Sequence, residues 1–501
     1  MGERVARYSN GDLRGLTWVF LKTGLLGFGG GSAMAPVIYR EAVERRGWLN
    51  AEAFGDILAL SNSLPGPMAP QMAAVIGYRV AGVIGVLLAL TAMILPMAAV
   101  MVVVTSWVFQ SAGSQADRLL LLRRATVAAF PLVAAMVASL AIRMTLRCRE
   151  IMRPSHTILV FSLSLGLLLL GVNNGSLILA MLVSVAVGAA PWRRSSRVFA
   201  WTVVAFFLAT HSAWAYFLGF GTSWAGWASL TAVLVAGGLA VRSGWDHQPQ
   251  GNSVLRPVLR DMGRLWMLVL LLGIPLCSLS PVLRSGTFLF LIVGMVSVGL
   301  VTFGGGPAFI PLAMDLLAGP SSSIVLYARE RFMQYVALVG ALPSPMVTKI
   351  AAVSGWDMVR ALSGQAPELG GAIGPLFETA PSTGTLWALI GALVMVVAMT
   401  LPATTNAVVA FACLDSIKKS PALGATTRFI LPLLTAVFLT VWWTFMRESA
   451  VTMASLSTQT KISAWCHTVG LFGAFFVAQA SGRVPPLVMV VSALTYGFAV
   501  L

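Results

Sequence analysis

Apolar residues in this chain gather into long runs that short polar stretches interrupt. The runs fall at about 15–39, 81–109, 125–142, 155–171, 175–191, 198–219 and 224–242, then at about 264–282, 286–313, 384–414, 426–446, 461–481 and 484–501. Crossing the hydrocarbon core of a bilayer takes about 20 mostly apolar residues, so these runs predict membrane-spanning helices. Two further stretches, 53–78 and 330–356, each hold two apolar pieces of roughly 11 or 12 residues joined at a proline pair and too short to span singly. They predict re-entrant helical hairpins, because irregular backbone at membrane depth persists only where protein buries it or where it lines a cavity.

The pattern occurs twice. FGGGSAMAP at 28–36 returns as FGGGPAFIP at 303–311, and ALSNSLPGPM at 59–68 returns as ALVGALPSPM at 337–346. Ala73, Ala74, Val75 and Gly77 then match Ala351, Ala352, Val353 and Gly355, while Gly85 and AMILP at 92–96 return as Gly391 and AMTLP at 398–402. The offsets are 275, 278 and 306 positions, so the blocks keep their order while insertions between them vary. Three ordered blocks in each half imply duplication of one unit. The expected fold is an all-α polytopic membrane protein of two homologous repeats, each with a broken first helix and a re-entrant hairpin. The repeats are expected at 1–195 and 284–501, with linking membrane segments at 196–283. Inverted repeats are expected by analogy with transporters whose site lies at a repeat interface. A polar insert around Asp357 to Thr383, with Glu368 and Glu378, is expected to be a surface loop.

Composition narrows the class. Of 501 residues 58% are hydrophobic and only 10% charged, whereas soluble domains carry about a quarter charged residues. The net charge of +16 sits in stretches between apolar runs, such as 143–153 and 192–197. There it marks cytoplasmic loops, and nucleic acid is not an expected partner. The basic cluster Arg118, Arg123 and Arg124 runs against that bias if both stretches are cytoplasmic. The first run contains Lys22 and no small-residue cleavage site, so it is expected to be a membrane helix rather than a cleaved signal. Four cysteines and four histidines lie scattered without metal or disulfide spacing. No cofactor is expected, and no GxxxxGK[ST] phosphate loop occurs. An integral-membrane enzyme would need clustered ligands or a redox motif.

The triplets Gly29, Gly30, Gly31 and Gly304, Gly305, Gly306 lie in apolar helices with no preceding strand, which excludes a dinucleotide fingerprint. They serve either close helix packing or a helix break that presents bare amides to a ligand, and the nearby Pro36 and Pro307 favour a break. In the hairpins, Pro65 and Pro67 flank Gly66, and Pro343 and Pro345 flank Ser344, with Asn62 and Ser63 leading into the first turn. Each pair should end one half-helix and open the next, whose N-terminus attracts an anion through unpaired amides and the helix dipole. Arg79 and Lys349 would supply counter-charge, since charge within the membrane is costly and usually functional; interfacial snorkelling is the alternative for Arg79. Lys349 stands at the place of Gln71 in the first copy. For proton coupling, Asp56 and Glu41 are the carboxylate candidates.

The run FGGGSAMAPVIYREAVERRGWLNAEAF at 28–54, then LPGP at 64–67, GYRVAG at 77–82 and Leu95–Pro96, resembles the chromate ion transporter family in its two-domain, long-chain type. FGGGPA, LPSP and the later Leu401–Pro402 resemble a diverged second copy. The resemblance implies a multi-pass carrier of the inner membrane that exports chromate and confers resistance to it, with sulfate as the mimic of shape and charge. Sulfate or another small anion is the alternative cargo. The lipid bilayer is an implied partner and a second copy of the chain a candidate one.

Overall fold

The computed structural model describes residues 12–27, 31–64, 66–110, 124, 127–151, 157–158, 161–162, 165–166, 252–302, 306–318, 326–365, 381–414, 421–456 and 461–500. The runs at 175–191, 198–219 and 224–242, most of 155–171, the basic stretch 192–197, Glu368 and Glu378 lie outside the described residues. So do Gly29, Gly30, Pro65, Gly304 and Gly305.

Every regular element among the described residues is helical. The first apolar run is two helices. α1 (Leu13–Leu26) opens on Asp12, whose carboxylate accepts from the Gly15 amide, and it stops at Gly27. α2 (Gly31–Tyr39) follows and widens into a π-helical turn, Arg40–Arg45. α3 (Ala51–Ser63) is capped by the Asn50 side chain, which accepts from the Ala53 amide. α4 (Met68–Gln110) contains a break at Ala81 and Gly82, where φ reaches 61° at the glycine. Residues 68–80 therefore form a short arm, and the remainder of α4 a long apolar helix. α5 (Ala129–Ile151) and α6 (Asn252–Ser278) precede a second series: α7 (Gly286–Val301), α8 (Gly306–Leu317), α9 (Arg329–Ala341), α10 (Met346–Leu362) and α11 (Pro381–Ala412). α12 (Pro421–Leu456), α13 (Lys461–Ser481) and α14 (Pro486–Val500) complete the described fold.

Among the described residues five helices are long and apolar enough to cross a membrane: Met68–Trp107, Ala129–Leu146, Leu255–Ser278, Gly384–Ala412 and Lys461–Ser481. The hairpin arms α3 and α9 have 13 residues each, about 20 Å at 1.5 Å per residue, against a hydrocarbon core of about 30 Å. Two expectations shift. α6 begins at Asn252 rather than near 264, because Arg256, Arg260 and Arg264 share an exposed face while Val258, Met262 and Leu265 are buried. Hydropathy averaged over such a segment conceals an amphipathic helix. Asp357, expected in a surface loop, instead lies inside α10 and is completely buried. Its partners, described below, compensate the burial.

Small residues let the backbones meet. A Cβ at Gly24 of α1 would strike the Met93 carbonyl of α4, and one at Gly299 of α7 would strike the Met399 carbonyl of α11. Gly77 on the short arm and Gly85 beyond the break each face the other's carbonyl, and Gly355 of α10 faces Gly391 of α11 in the same way. These contacts draw α4 against α1 and α11 against α7 and α10, and α4 also packs on α10 and α11. A smaller apolar cluster, including Val127, Leu132, Met453, Phe475 and Val490, joins α5 to α12, α13 and α14.

Gly355→Ala should therefore lower the thermal stability of the detergent-solubilised chain by about 1–3 kcal/mol, because the backbones must separate to admit a methyl group. Gly263→Ala, where nothing lies within 4 Å of the added carbon, should leave it unchanged or slightly raised. Equal melting temperatures for the two variants would contradict the close packing.

Candidate functional site

The two hairpin turns share one local chemistry. α3 ends at Ser63 and α4 begins at Met68, while α9 ends at Ala341 and α10 begins at Met346. A proline at the start of each second arm suits a helix entry, since its missing N–H would be unpaired there anyway. The central residues adopt positive φ, 123° at Gly66 and 81° at Ser344. Ser344 is the one non-glycine residue with positive φ among the described residues. Such a backbone costs on the order of 1–3 kcal/mol and persists where surrounding contacts hold it.

Those contacts cross between the halves. The Gly66 amide donates to the Thr302 carbonyl at 2.5 Å, and the Ser344 amide donates to the Gly27 carbonyl at 2.9 Å. Thr302 and Gly27 are the residues at which α7 and α1 stop, each just ahead of a glycine triplet. The Ser344 hydroxyl also donates to the Met93 carbonyl of α4 at 3.2 Å. A Cβ at Gly66 would collide with the Gln71 amide and with Ala403 of α11. Each turn is thus seated at the broken helix of the opposite half, close to where α2 and α8 begin at Gly31 and Gly306.

Lys349 is fully buried, and its ammonium donates to three carbonyls, Val339 at 2.8 Å, Leu342 at 2.6 Å and Pro343 at 2.7 Å. It caps the C-terminus of α9, where the last carbonyls have no helical partner, and opposes the negative end of that helix dipole. Its charge lies behind the second turn with all three protons engaged within the hairpin. Arg79 is 8% exposed and its guanidinium stands 5.8 Å from the centre of the Phe411 ring. It lies about 16 Å along the arm from Met68 at 1.5 Å per residue, so it is not at the turn. Next to it, the Tyr78 hydroxyl donates to Asp261 of α6 at 2.9 Å.

The repeat register pairs Arg79 with Asp357. Asp357 accepts hydrogen bonds from the Tyr327 and Tyr335 hydroxyls, both at 2.9 Å, with Arg331 and Arg360 close enough to act on its charge. This buried cluster was missed at the level of sequence. The exchange of GYR at 77–79 for GWD at 355–357 was its signal.

Of the two coupling candidates, Glu41 is buried in the π-helical turn and bridges Lys22 of α1 and Arg45, both at 2.7 Å. It lies outside the five long apolar helices, and the hydrogen bond from Lys22 holds its carboxyl below the usual carboxylate range. Asp56 is half-buried on α3, about 10 Å along the helix from Ser63. Asn62 is half-buried and donates to the Leu58 carbonyl at 2.9 Å. It also lines a cavity of about 610 Å³ between α2 and α3, together with Pro36, Tyr39, Arg40, Glu44 and Met68. Pro67 and Pro345 are buried and Pro343 half-buried. No metal-binding group of three His, Cys, Asp or Glu occurs among the described residues. The structure thus sets Gly66, with Pro67 beside it, at the end of α7 and Ser344, between Pro343 and Pro345, at the end of α1, with Lys349 behind the second turn; Gly31 and Gly306 open the helices that follow those ends, and Arg79, Asp56 and Glu41 lie away from the turns.

An uncharacterized transporter of Bacillus subtilis, YwrB, is 44% identical over 93 residues, 19% of this chain and 47% of its own length. The chromate transport protein of Cupriavidus metallidurans is 37% identical over 101 residues, 20% of this chain and 25% of its own length. The probable chromate transport protein of Synechococcus elongatus is 37% identical over 102 residues, 20% of this chain and 26% of its own length. The matches span half or less of these relatives. No solved structure matches. The family model described as "Chromate transporter" matches residues 14–189 and 289–498, most of the chain. With that coverage and its apolar helices, this multi-pass integral membrane protein belongs to the chromate transporter family.

Proposed function

We propose that the chain is a secondary carrier that moves chromate, or a closely related tetrahedral oxyanion, out of the cytoplasm across the plasma membrane and so confers resistance to it. The observation that carries this reading is the crossed seating of the two turns on the two helix breaks. Each half-helix opening is set beside the interrupted helix of the other half, and such polar backbone at membrane depth can face a ligand. A dianion leaving a cell that is negative inside gains about 4.6 kcal/mol per 100 mV, at 2.3 per charge. Export of a dianion can therefore run on the membrane potential without ATP.

In this reading the halves are copies of one unit inverted against each other, at 1–195 and 284–501, with 196–283 linking them. The reciprocal bonds from Gly66 to Thr302 and from Ser344 to Gly27 support the duplication, as do the matching glycine contacts, and the inversion rests on analogy with other transporters. The oxyanion would meet the two helix breaks, Gly29–Gly31 and Gly304–Gly306, and the segments at the two turns, Asn62, Ser63, Pro65, Gly66 and Pro67 in the first and Pro343, Ser344 and Pro345 in the second. Lys349 would contribute its field through the turn it caps, and Arg79 a second positive charge farther along the arm. Asp56 or Glu41 would carry a coupled proton, if transport draws on one.

Cells expressing the chain should tolerate more chromate and accumulate less of it, with excess sulfate competing. Tolerance and accumulation equal to those of control cells would refute the export reading. Lys349→Met should lose transport and more than about 3 kcal/mol of stability, because three buried carbonyls lose their donor at about 1–3 kcal/mol each. Lys349→Gln, which can satisfy two of them, should insert normally and transport more slowly. For Ser344→Gly, relief of the positive-φ strain and loss of one hydrogen bond of about 1 kcal/mol nearly offset. Its stability should stay near that of the parent, whereas Ser344→Val should lose both stability and transport.

A further inference from the structure

We propose that Arg40 is the cation that first captures the oxyanion, at the mouth of the cavity between α2 and α3, with Tyr39 and Asn62 as polar groups inside it. The inference rests on the carrier reading above and assigns to it an entry site that the motifs did not indicate.

Arg40 differs from the other cations of its neighbourhood: its charge acts on Glu41 from a distance, without an ion pair. Lys22 and Arg45 are both bound to Glu41, and Arg46 is paired with Asp12. Among the described residues no hydrogen bond or ion pair engages Arg40, and its side chain is exposed on the cavity wall. The π-helical turn Arg40–Arg45 accounts for this division. It turns Glu41 and Arg45 toward α1, while Arg40 and Glu44 line the cavity. Wide turns of this kind occur often at functional sites.

The cavity, about 610 Å³, is widely open and walled mostly by apolar side chains, which leaves Tyr39, Arg40, Glu44 and Asn62 as its polar groups. Exposed Arg40 and Glu44 mark its outer end, half-buried Asn62 lies deeper, and buried Met68 closes it beside the first hairpin turn. Tyr39 is held by an edge-on contact with Phe54, ring centres 5.1 Å apart, so its hydroxyl is presented on a fixed ring. Glu44 opposes Arg40: its negative charge repels an approaching dianion and weakens the attraction that the guanidinium exerts. Arg40 and Glu44 should therefore affect affinity in opposite directions, which a purely structural role for either would not produce.

The test uses the full chain in liposomes at a fixed membrane potential, with initial rates of labelled chromate and labelled sulfate measured against concentration. Arg40→Gln should raise KM about tenfold, the loss expected when one partly solvated charge contact disappears, with kcat within about twofold. Arg40→Lys should recover most of the affinity, Glu44→Gln should lower KM, and both variants should melt with the parent. An unchanged KM in Arg40→Gln alongside normal parental flux overturns this inference alone, as does a fall in kcat at constant KM. No flux of either anion through the parent overturns the carrier reading and this inference with it.

Discussion

A helix that stops at membrane depth leaves its last carbonyls without donors, and lipid supplies none. α1 stops at Gly27 and α7 at Thr302, and each carbonyl receives an amide from the hairpin turn of the opposite half. To aim that N–H outward, the turn must enter the positive-φ region, which Gly66 does readily and Ser344 does under constraint. The helix breaks and the turns are therefore mutually dependent. Close approach of α1 to α4 and of α7 to α11, which the glycines at 24 and 299 permit, keeps the carbonyls within reach of their partners.

Much of this arrangement was legible in the chain. Proline pairs between apolar pieces too short to span gave both hairpins, and arms of 13 residues in α3 and α9 match that expectation. The two triplets marked the places where α1 gives way to α2 and α7 to α8. The crossed hydrogen bonds were not legible, since they join positions far apart in sequence through backbone atoms that carry no side-chain signature. Lys349 illustrates a different limit. Its depth in the hairpin was evident, but not that it faces back onto the end of α9 and engages three carbonyls there. Asp357 was placed in a loop as the start of the polar insert that carries Glu368 and Glu378, whereas the two tyrosines that accommodate the buried carboxylate lie 22 and 30 residues earlier.

Charge in this molecule is compensated locally by varied means. Glu41 takes two cations, carbonyl dipoles surround Lys349, an aromatic face lies against Arg79, and two tyrosine hydroxyls donate to Asp357. Each device offsets the desolvation of an ion in a low-dielectric setting. Arg40, exposed at the edge of the first hairpin, has solvent in place of such a partner.

The two halves use these devices unequally, and the inequality bears on motion. Where the second turn carries Ser344 and is tied by the Lys349 ammonium, the first carries Gly66 and Gln71. An ammonium with three short bonds to one helix end fixes the second turn firmly, and reorienting it would expose several carbonyls at once. A glycine at the first turn tolerates a change of backbone angle far more readily than a serine already held at positive φ. The cavity adjoins the first hairpin, so that hairpin is the one whose rearrangement would alter access to the crossed turns. Of the two turns, the second is therefore the more tightly held.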